Sequence, residues 1–363
     1  MSLPRKQETS KITPHRKFKG HTDTINGIIH LPGGQRVMTC SADGSLRVWN
    51  LESGLQIGHD WRDGDRAVFT MALSPDGTKV VTGSGDNVVR LWDIKTGKII
   101  TKWRQRELGA IRTLCWSRDG GRVLGGASDG TFREWDVKSG KHTMGPIKSG
   151  HSWVAALVYS PDMTMIATGG YSTDDRYIEI WDAETGEQVN TPKGNAGTAL
   201  CLAWTADGKT LISGSSNYSI MTWNTAAWKV TAVLRGHTNV VNDIAISPIN
   251  GCILASTSAD KTTRLWNIED EQCIGLLAQH TATQFTPNLS FSTDGKLLAT
   301  GCDDFNALHT WDVSAFLREP GSNNLLSDPN VRLQAFLVSY LSMKLNTFSQ
   351  AGDKSLVLEV RDQ

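Results

Sequence analysis

Residues 258–267 read SADKTTRLWN, and this stretch decides the fold. Ala259-Asp260-Lys261 is a tight turn, and 262–267 is a short β-rich run that ends on Trp266. Upstream, 240–246 is another β-rich run, Pro248 to Gly251 a turn, and 252–258 a second strand. Downstream, Glu269-Asp270 turns the chain towards a fourth strand at 273–278. Short strands at regular spacing, punctuated by Gly, Pro and Asp turns, signal an all-β array.

The stretch is not alone. SADGSLRVWN (41–50), SGDNVVRLWD (84–93) and ASDGTFREWD (127–136) repeat its pattern. Trp49, Trp92, Trp135, Trp181, Trp223, Trp266 and Trp311 recur every 42 to 46 residues. A strand and turn precede them, as in ALSPDG (72–77), VYSPDM (158–163), AWTADG (203–208) and FSTDG (291–295). One four-stranded sheet cannot bury both faces by itself, whereas sheets stacked around an axis bury them against each other.

With seven in-phase copies across about residues 14–314, the chain resembles the WD-repeat family, whose unit is one blade of a β-propeller. The resemblance implies a seven-bladed propeller. It also implies four bracing side chains per blade: a His before strand one, a Ser or Thr on strand two, an Asp in the following turn and the Trp. Repeat one supplies His21, Thr39, Asp43 and Trp49, and repeat six His237, Ser256, Asp260 and Trp266. Repeat four offers His151, Thr168, Asp175 and Trp181, with extra residues at 171–173, and repeat seven His280, Thr300, Asp304 and Trp311. Repeat two keeps Thr82, Asp86 and Trp92, but its nearest histidine, His59, comes too early. Repeat three keeps Asp129 and Trp135 and has Gly125 in place of the hydroxyl, while repeat five has Asn195 and Asn217 with Trp223. Repeats one and six are expected to be the best braced, and three and five the least. His, Ser and Asp together could form a catalytic triad. A set that recurs buried in several copies is instead read as structural, because a nucleophile must be exposed and unique.

Trp311 completes only the third strand of its blade, so residues 14–19 are expected to supply the fourth and close the ring, removing unpaired sheet edges. Residues 1–13 are expected to be disordered. The tail, 315–363, does not continue the repeat: 330–345 reads as an amphipathic helix with Leu333, Phe336, Leu337, Tyr340 and Leu341 on one face, and 355–360 as a short strand.

The chain has 363 residues with 37 basic and 37 acidic side chains. That balance argues against nucleic acid, which needs a clustered basic excess, and against binding anionic membranes by charge. No apolar run reaches the length of a membrane span and no signal peptide is evident. The expectation is a soluble intracellular protein, cytoplasmic rather than nuclear. The six cysteines show neither C-x-x-C pairs nor zinc spacing and are read as free thiols. No cofactor or metal is expected.

Function must be argued from the site. The resemblance places partner contacts on the upper ring, where strand one of each blade begins. Carried over, the ring positions are Thr24, Asn26 and Ala42; Ala67, Phe69 and Gly85; Ala110, Arg112 and Ser128; Trp153, Ala155 and Asp174; Thr198, Leu200 and Ser216; Val240, Asn242 and Ala259; and Phe285, Pro287 and Asp303. Phe69, Arg112, Trp153, Asp174, Leu200, Val240, Asn242, Phe285 and Asp303 are the candidate contacts, since aromatics and Arg are the usual interface anchors. Trp153 is expected to project from the blade, whose core tryptophan is already Trp181. The reading is a non-catalytic scaffold for proteins or peptides, monomeric alone and a subunit of a larger complex. A ubiquitin-ligase substrate receptor is the alternative, but Trp92-Asp93-Ile94-Lys95 and Trp135-Asp136-Val137-Lys138 carry Lys where Arg is usual. A propeller hydrolase is less supported, with only Asp174 and Asp303 on the ring.

Overall fold

The computed structural model describes residues 16–104, 109–194, 197–249, 251–279, 288–302 and 307–316. The candidate residues Asn195, His280, Phe285, Asp303 and Asp304, the tail helix and strand and residues 1–13 lie outside these. The described chain forms seven antiparallel four-stranded sheets. Strand one of the successive blades is Ile25–His30, Val68–Leu73, Ile111–Trp116, Trp153–Tyr159, Ala199–Trp204, Val241–Ile246 and Leu289–Phe291. Each strand one packs against that of the next blade, and the seventh against the first. The strand-one segments therefore surround a common axis, and the chain is a seven-bladed β-propeller. Among the described residues no helix is long and apolar enough to cross a membrane.

Within a blade the register is constant. Each strand-three Trp faces an aliphatic side chain on strand two: Val37 with Trp49, Val80 with Trp92, Val123 with Trp135, Ile166 with Trp181, Leu211 with Trp223, Leu254 with Trp266 and Leu298 with Trp311. Side chains alternate faces along a strand. In six of the blades the residue two beyond that aliphatic is a Ser or Thr, which lies on the same face and accepts from the indole. Close approach between blades needs small residues on strand two. A Cβ added at Gly83 would lie 2.4 Å from Ile111 of the next blade, and one at Gly126 would lie 2.6 Å from Val154.

Strand one carries a bulge in each of the first six blades, and the residue it skips is Asn26, Phe69, Arg112, Ala155, Leu200 or Asn242. A bulge re-aims one side chain out of the ladder. Asn26 uses this to donate from Nδ2 to the Val68 carbonyl of the next blade at 2.8 Å. Asn288, immediately before strand one of blade seven, does the same to Ile25 of blade one at 3.1 Å. Asn288 is thus the seventh equivalent, one residue beyond the expected Pro287.

The ring closes as expected. Arg16–Phe18 is the outer strand of the last blade, with Arg16 opposite Thr310, Lys17 opposite His309 and Phe18 opposite Leu308. Phe18 is 1% exposed, and its ring sits edge-on to Trp49 of blade one with centroids 6.1 Å apart. The closing strand therefore ties the two ends of the propeller by packing as well as by the ladder. Beyond Asp312, the 3-10 turn Ser314–Phe316 returns Phe316 to the core, 8% exposed.

Deleting residues 1–19 is expected to open the edge of the last blade, with light scattering showing association and a lower melting temperature. Phe18→Ala should destabilise the intact chain by about 3 kcal/mol in denaturant titrations, the cost of emptying a buried aromatic site.

Candidate functional site at the upper ring

The upper face carries the loops into strand one and the turns between strands two and three. In blade one the braces form a chain. Trp49 Nε1 donates to Thr39 Oγ1 at 2.8 Å, Thr39 Oγ1 lies 2.7 Å from His21 Nε2, and His21 Nδ1 lies 2.9 Å from Asp43 Oδ2. An indole can only donate and a carboxylate can only accept. The Thr39 hydroxyl therefore donates to His21 Nε2, which leaves the His21 proton on Nδ1 for Asp43. Burial pushes the Asp43 carboxyl up, but hydrogen bonds from His21, Ser45 and the Thr22 amide outweigh it and hold it well below the usual range. Blade six repeats the chain through Trp266, Ser256, His237 and Asp260 at 2.8, 2.7 and 2.8 Å.

The other blades depart from this chain in specific ways. In blade two, Trp92 donates to Thr82 at 2.9 Å, and in the absence of a histidine the turn aspartate pairs with Arg90 of strand three. Arg90 bonds Asp86, Ser84 at 2.8 Å, and Asp63 at 2.6 Å. In blade three, Gly125 leaves the Trp135 indole N–H without a partner, and a Cβ there would lie 2.7 Å from that ring. The ring stacks on Trp103 instead, with centroids 5.9 Å apart, while Asp129 binds the turn through Thr131 at 2.8 Å. Blade five keeps the Trp223 to Ser213 bond at 2.9 Å, and Asn217 caps Ser219 at 2.7 Å. In blade seven, Trp311 donates to Thr300 at 3.0 Å.

Blade four corrects two expectations. Trp181 donates to Thr168 at 3.0 Å, and His151 Nε2 lies 3.1 Å from the same hydroxyl. Asp175 does not complete the chain: it is exposed with a φ of 60°, at the tip of a loop. Strand two of this blade pairs Gly170 with Val154, where blade one pairs Ser41 with Ile25. The residues after Tyr171 therefore extend the turn. The acid that closes on the brace comes from strand three. Glu179, fully buried, accepts from the Gly150 amide at 2.8 Å and lies 3.7 Å from His151 Nε2. Asp174 is likewise not a ring residue. It is exposed on the extended turn, where it pairs with Arg176 at 2.7 Å. The same offset puts Tyr171 at the ring position, a residue the sequence reading passed over. The longer spacing from Thr168 to Trp181 was its signal.

The remaining ring positions gather around the axis. Trp153, Ala155 and Leu200 form a separate buried cluster against which Tyr171 and Val240 pack, so it spans blades four to six. Trp153 is 8% exposed and Leu200 is 7% exposed. Trp153 therefore does not project, because neighbouring blades supply apolar surface at the axis to cover it. Phe69 and Asn242 are half-buried. Arg112 is 7% exposed and lies over the Phe69 ring, 3.8 Å from its centroid. On the opposite face a cleft of about 260 Å³ is lined by Arg118, Ser160, Asp162, Trp204, Asp207 and Lys209 among others. Among the described residues no group of three or more His, Cys, Asp or Glu side chains could hold a metal ion.

The WD domain, G-beta repeat, matches seven segments: residues 12–50, 54–93, 97–136, 144–182, 186–224, 228–267 and 271–308. Similar proteins include autophagy-related protein 16 of Arabidopsis thaliana, 27% identical over 161 residues, 44% of this chain and 30% of that protein. Nuclear distribution protein PAC1 of Arthroderma otae is 30% identical over 178 residues, covering 46% and 37%. B-type cell cycle switch protein ccs52B of Medicago truncatula is 33% identical over 118 residues, covering 32% and 24%. These matches span about a third of the relatives' length or less.

Two outcomes test the geometry. Burial lowers the His151 pKa from 6.5 to about 4, and burial also lowers those of His21 and His237. A depressed folded pKa gives stability that is complete above the unfolded value and is lost as pH falls towards the folded one. Stability should therefore drop between pH 6.5 and about 4, by up to about 3 kcal/mol for His151. Melts across that window should show a shallower dependence for His151→Asn. Trp153→Ala should cost about 3 kcal/mol in denaturant titrations, as for other buried tryptophans, whereas a projecting side chain would cost almost nothing.

Proposed function

The chain belongs to the WD-repeat family, and from that premise we propose that it is a non-catalytic scaffold that docks a protein or peptide partner on its upper face. The observation that carries this reading is the apolar cluster at the axis. It is built from three blades and presents Tyr171 and Val240, both half-buried; at the ring positions of blades two and three, Arg112 lies over Phe69. Aromatic side chains and Arg at the centre of a rigid, concave ring are the residues that dominate interface energetics. The ring is positioned by strands rather than by loops, so a ligand meets a preorganised surface and the ordering cost of binding is small.

A hydrolase on this face finds little support. Among the described residues the Ser, Thr and His side chains of the braces are buried, and Asp174 stands on a loop tip paired with Arg176. The zero net charge favours a protein over a nucleic acid as partner.

The test compares wild type with Phe69→Ser and Val240→Asp as bait for cross-linked partners, and with Lys209→Glu in the opposite cleft. Val240 and Phe69 are half-buried, so melting should shift little. Partners captured by wild type and Lys209→Glu should be lost from both upper-face variants, and an affinity measured for any one should fall roughly thirty-fold, about 2 kcal/mol. Capture indifferent to both upper-face substitutions would move the interface off the ring.

A further inference from the structure

Two arginines of this propeller are each 7% exposed, Arg90 and Arg112, and their surroundings differ completely. Arg90 is enclosed by acceptors. Its Nε reaches Asp63 at 2.6 Å, its Nη2 the Asp63 carbonyl at 3.0 Å, and its Nη1 Ser84 at 2.8 Å and Asp86 at 3.0 Å. That is what a buried guanidinium needs when its role is structural, because burying a charge without a partner costs several kcal/mol. Arg112 has none of this. Its Nε and Nη1 are buried without a hydrogen-bond partner, and its one close neighbour of note is the face of Phe69. A cation over an aromatic face recovers only about 0.5–2 kcal/mol.

Position sharpens the contrast. Arg112 is the bulge residue of blade three, turned out of the ladder and onto Phe69 of blade two. The equivalent residues around the axis are Asn26, Phe69, Ala155, Leu200, Asn242 and Asn288, so none is acidic. Where Asn occupies this place in blades one and seven, it reaches the backbone carbonyl of the next blade. Arg112 makes no such bond. Burial alone pushes its pKa down to about 10, whereas the carboxylates around Arg90 raise that group above its ordinary value. Among the described residues, the upper ring therefore holds a desolvated positive charge without a counter-ion.

We infer that Arg112 is the specificity residue of the upper face and takes the carboxylate of a Glu or Asp side chain on a docking peptide, whose apolar neighbours lie on the Trp153–Leu200 cluster. This rests on the docking reading above and names the chemistry of the partner. A carboxylate accepts a charge-assisted hydrogen bond from a guanidinium and, unlike a neutral amide, supplies a negative charge. It also matches the single positive charge available. A phosphate carries nearly two negative charges and draws on several Arg or other donors, and the axial positions offer one. Phe69 holds the guanidinium flat before the ligand arrives, which limits the rotamer entropy lost on binding.

The probe is an array of short synthetic peptides in matched sets. The central residue is Glu, Gln or phosphoserine, and the flanking residues vary among Leu, Phe, Tyr and Gly. Wild type, Arg112→Met, Val240→Asp and Lys209→Glu proteins are applied, and each is melted in parallel. Wild type and Lys209→Glu should bind Glu peptides with apolar flanks about tenfold more tightly than their Gln counterparts. Arg112→Met should lose that preference, while its melting temperature stays the same or rises, since an unpaired buried cation is replaced by an apolar chain of similar length. A marked fall in the melting temperature of Arg112→Met would make Arg112 structural and overturn the inference. So would equal binding of Glu and Gln sets, a preference for phosphoserine, or a Glu preference that survives Arg112→Met. Equal binding that is still lost with Val240→Asp would leave the docking face standing and remove only the acidic partner. Binding of no peptide would overturn the acidic-peptide inference, and the cross-linking comparison would then judge the docking face separately.

Discussion

The hydrogen bond from the strand-three indole to the strand-two hydroxyl is the interaction on which the rest of the propeller depends. A tryptophan on the middle strands of a blade is large enough to fill the space between two sheets, but its N–H cannot be buried unpaired without a cost of about 1–3 kcal/mol. Six of the seven blades answer with a Ser or Thr two residues past the aliphatic that faces the ring. The hydroxyl that accepts from the indole must then place its own proton. In blades one and six that proton goes to a histidine, and the histidine passes the polarity on to an aspartate in the turn. The geometry of the upper loops is thereby set from inside the blade. Blade three shows the alternative. With glycine in the hydroxyl's place the indole slides into the vacated volume and stacks on Trp103, exchanging a hydrogen bond for aromatic contact.

The second constraint is closure. Each blade is narrow at the axis, so strand one can approach its neighbour only where strand two carries small residues, as at Gly83 and Gly126. The bulge in strand one turns a side chain towards the axis in blade after blade, and what occupies that place decides what the axis can do. Asparagine sews adjacent blades together through a backbone carbonyl. Phenylalanine, leucine and alanine make apolar surface, and arginine brings a charge. The ring is a repeated structural device in which two copies sew adjacent blades and the other five leave the axial position to other side chains. Brace and ring are only a few residues apart in each blade, so the rigidity that the first provides is passed to the second.

Much of this was legible in the residues themselves. The tryptophan period gave the number of blades, and the incomplete last repeat gave the closing strand, found at Arg16–Phe18. Both follow because strands, turns and the brace are local in sequence. Blade four was misread in its turn: Asp174 and Asp175 sit where counting back from the tryptophan puts the acids. Extra residues in a turn shift spacing without leaving a mark on either acid, and the pairing of Gly170 with Val154 was needed to show where the ring position fell. Glu179 escaped notice because its role in the brace depends on the approach of the Gly150 amide, which is distant in sequence.

The sequence by itself determined the fold and the blade count, because these rest on periods of hydrophobic and turn residues that no distant contact can alter. Only the tertiary structure decided the character of the axis. Whether Trp153 projects or is covered depends on Leu200 and Val240 from the next two blades. Whether Arg112 is paired or bare depends on which residues the neighbouring bulges aim at it. Ring closure brings together side chains more than forty residues apart at one point on the axis. Their mutual burial is a property of that geometry and is carried by no single repeat.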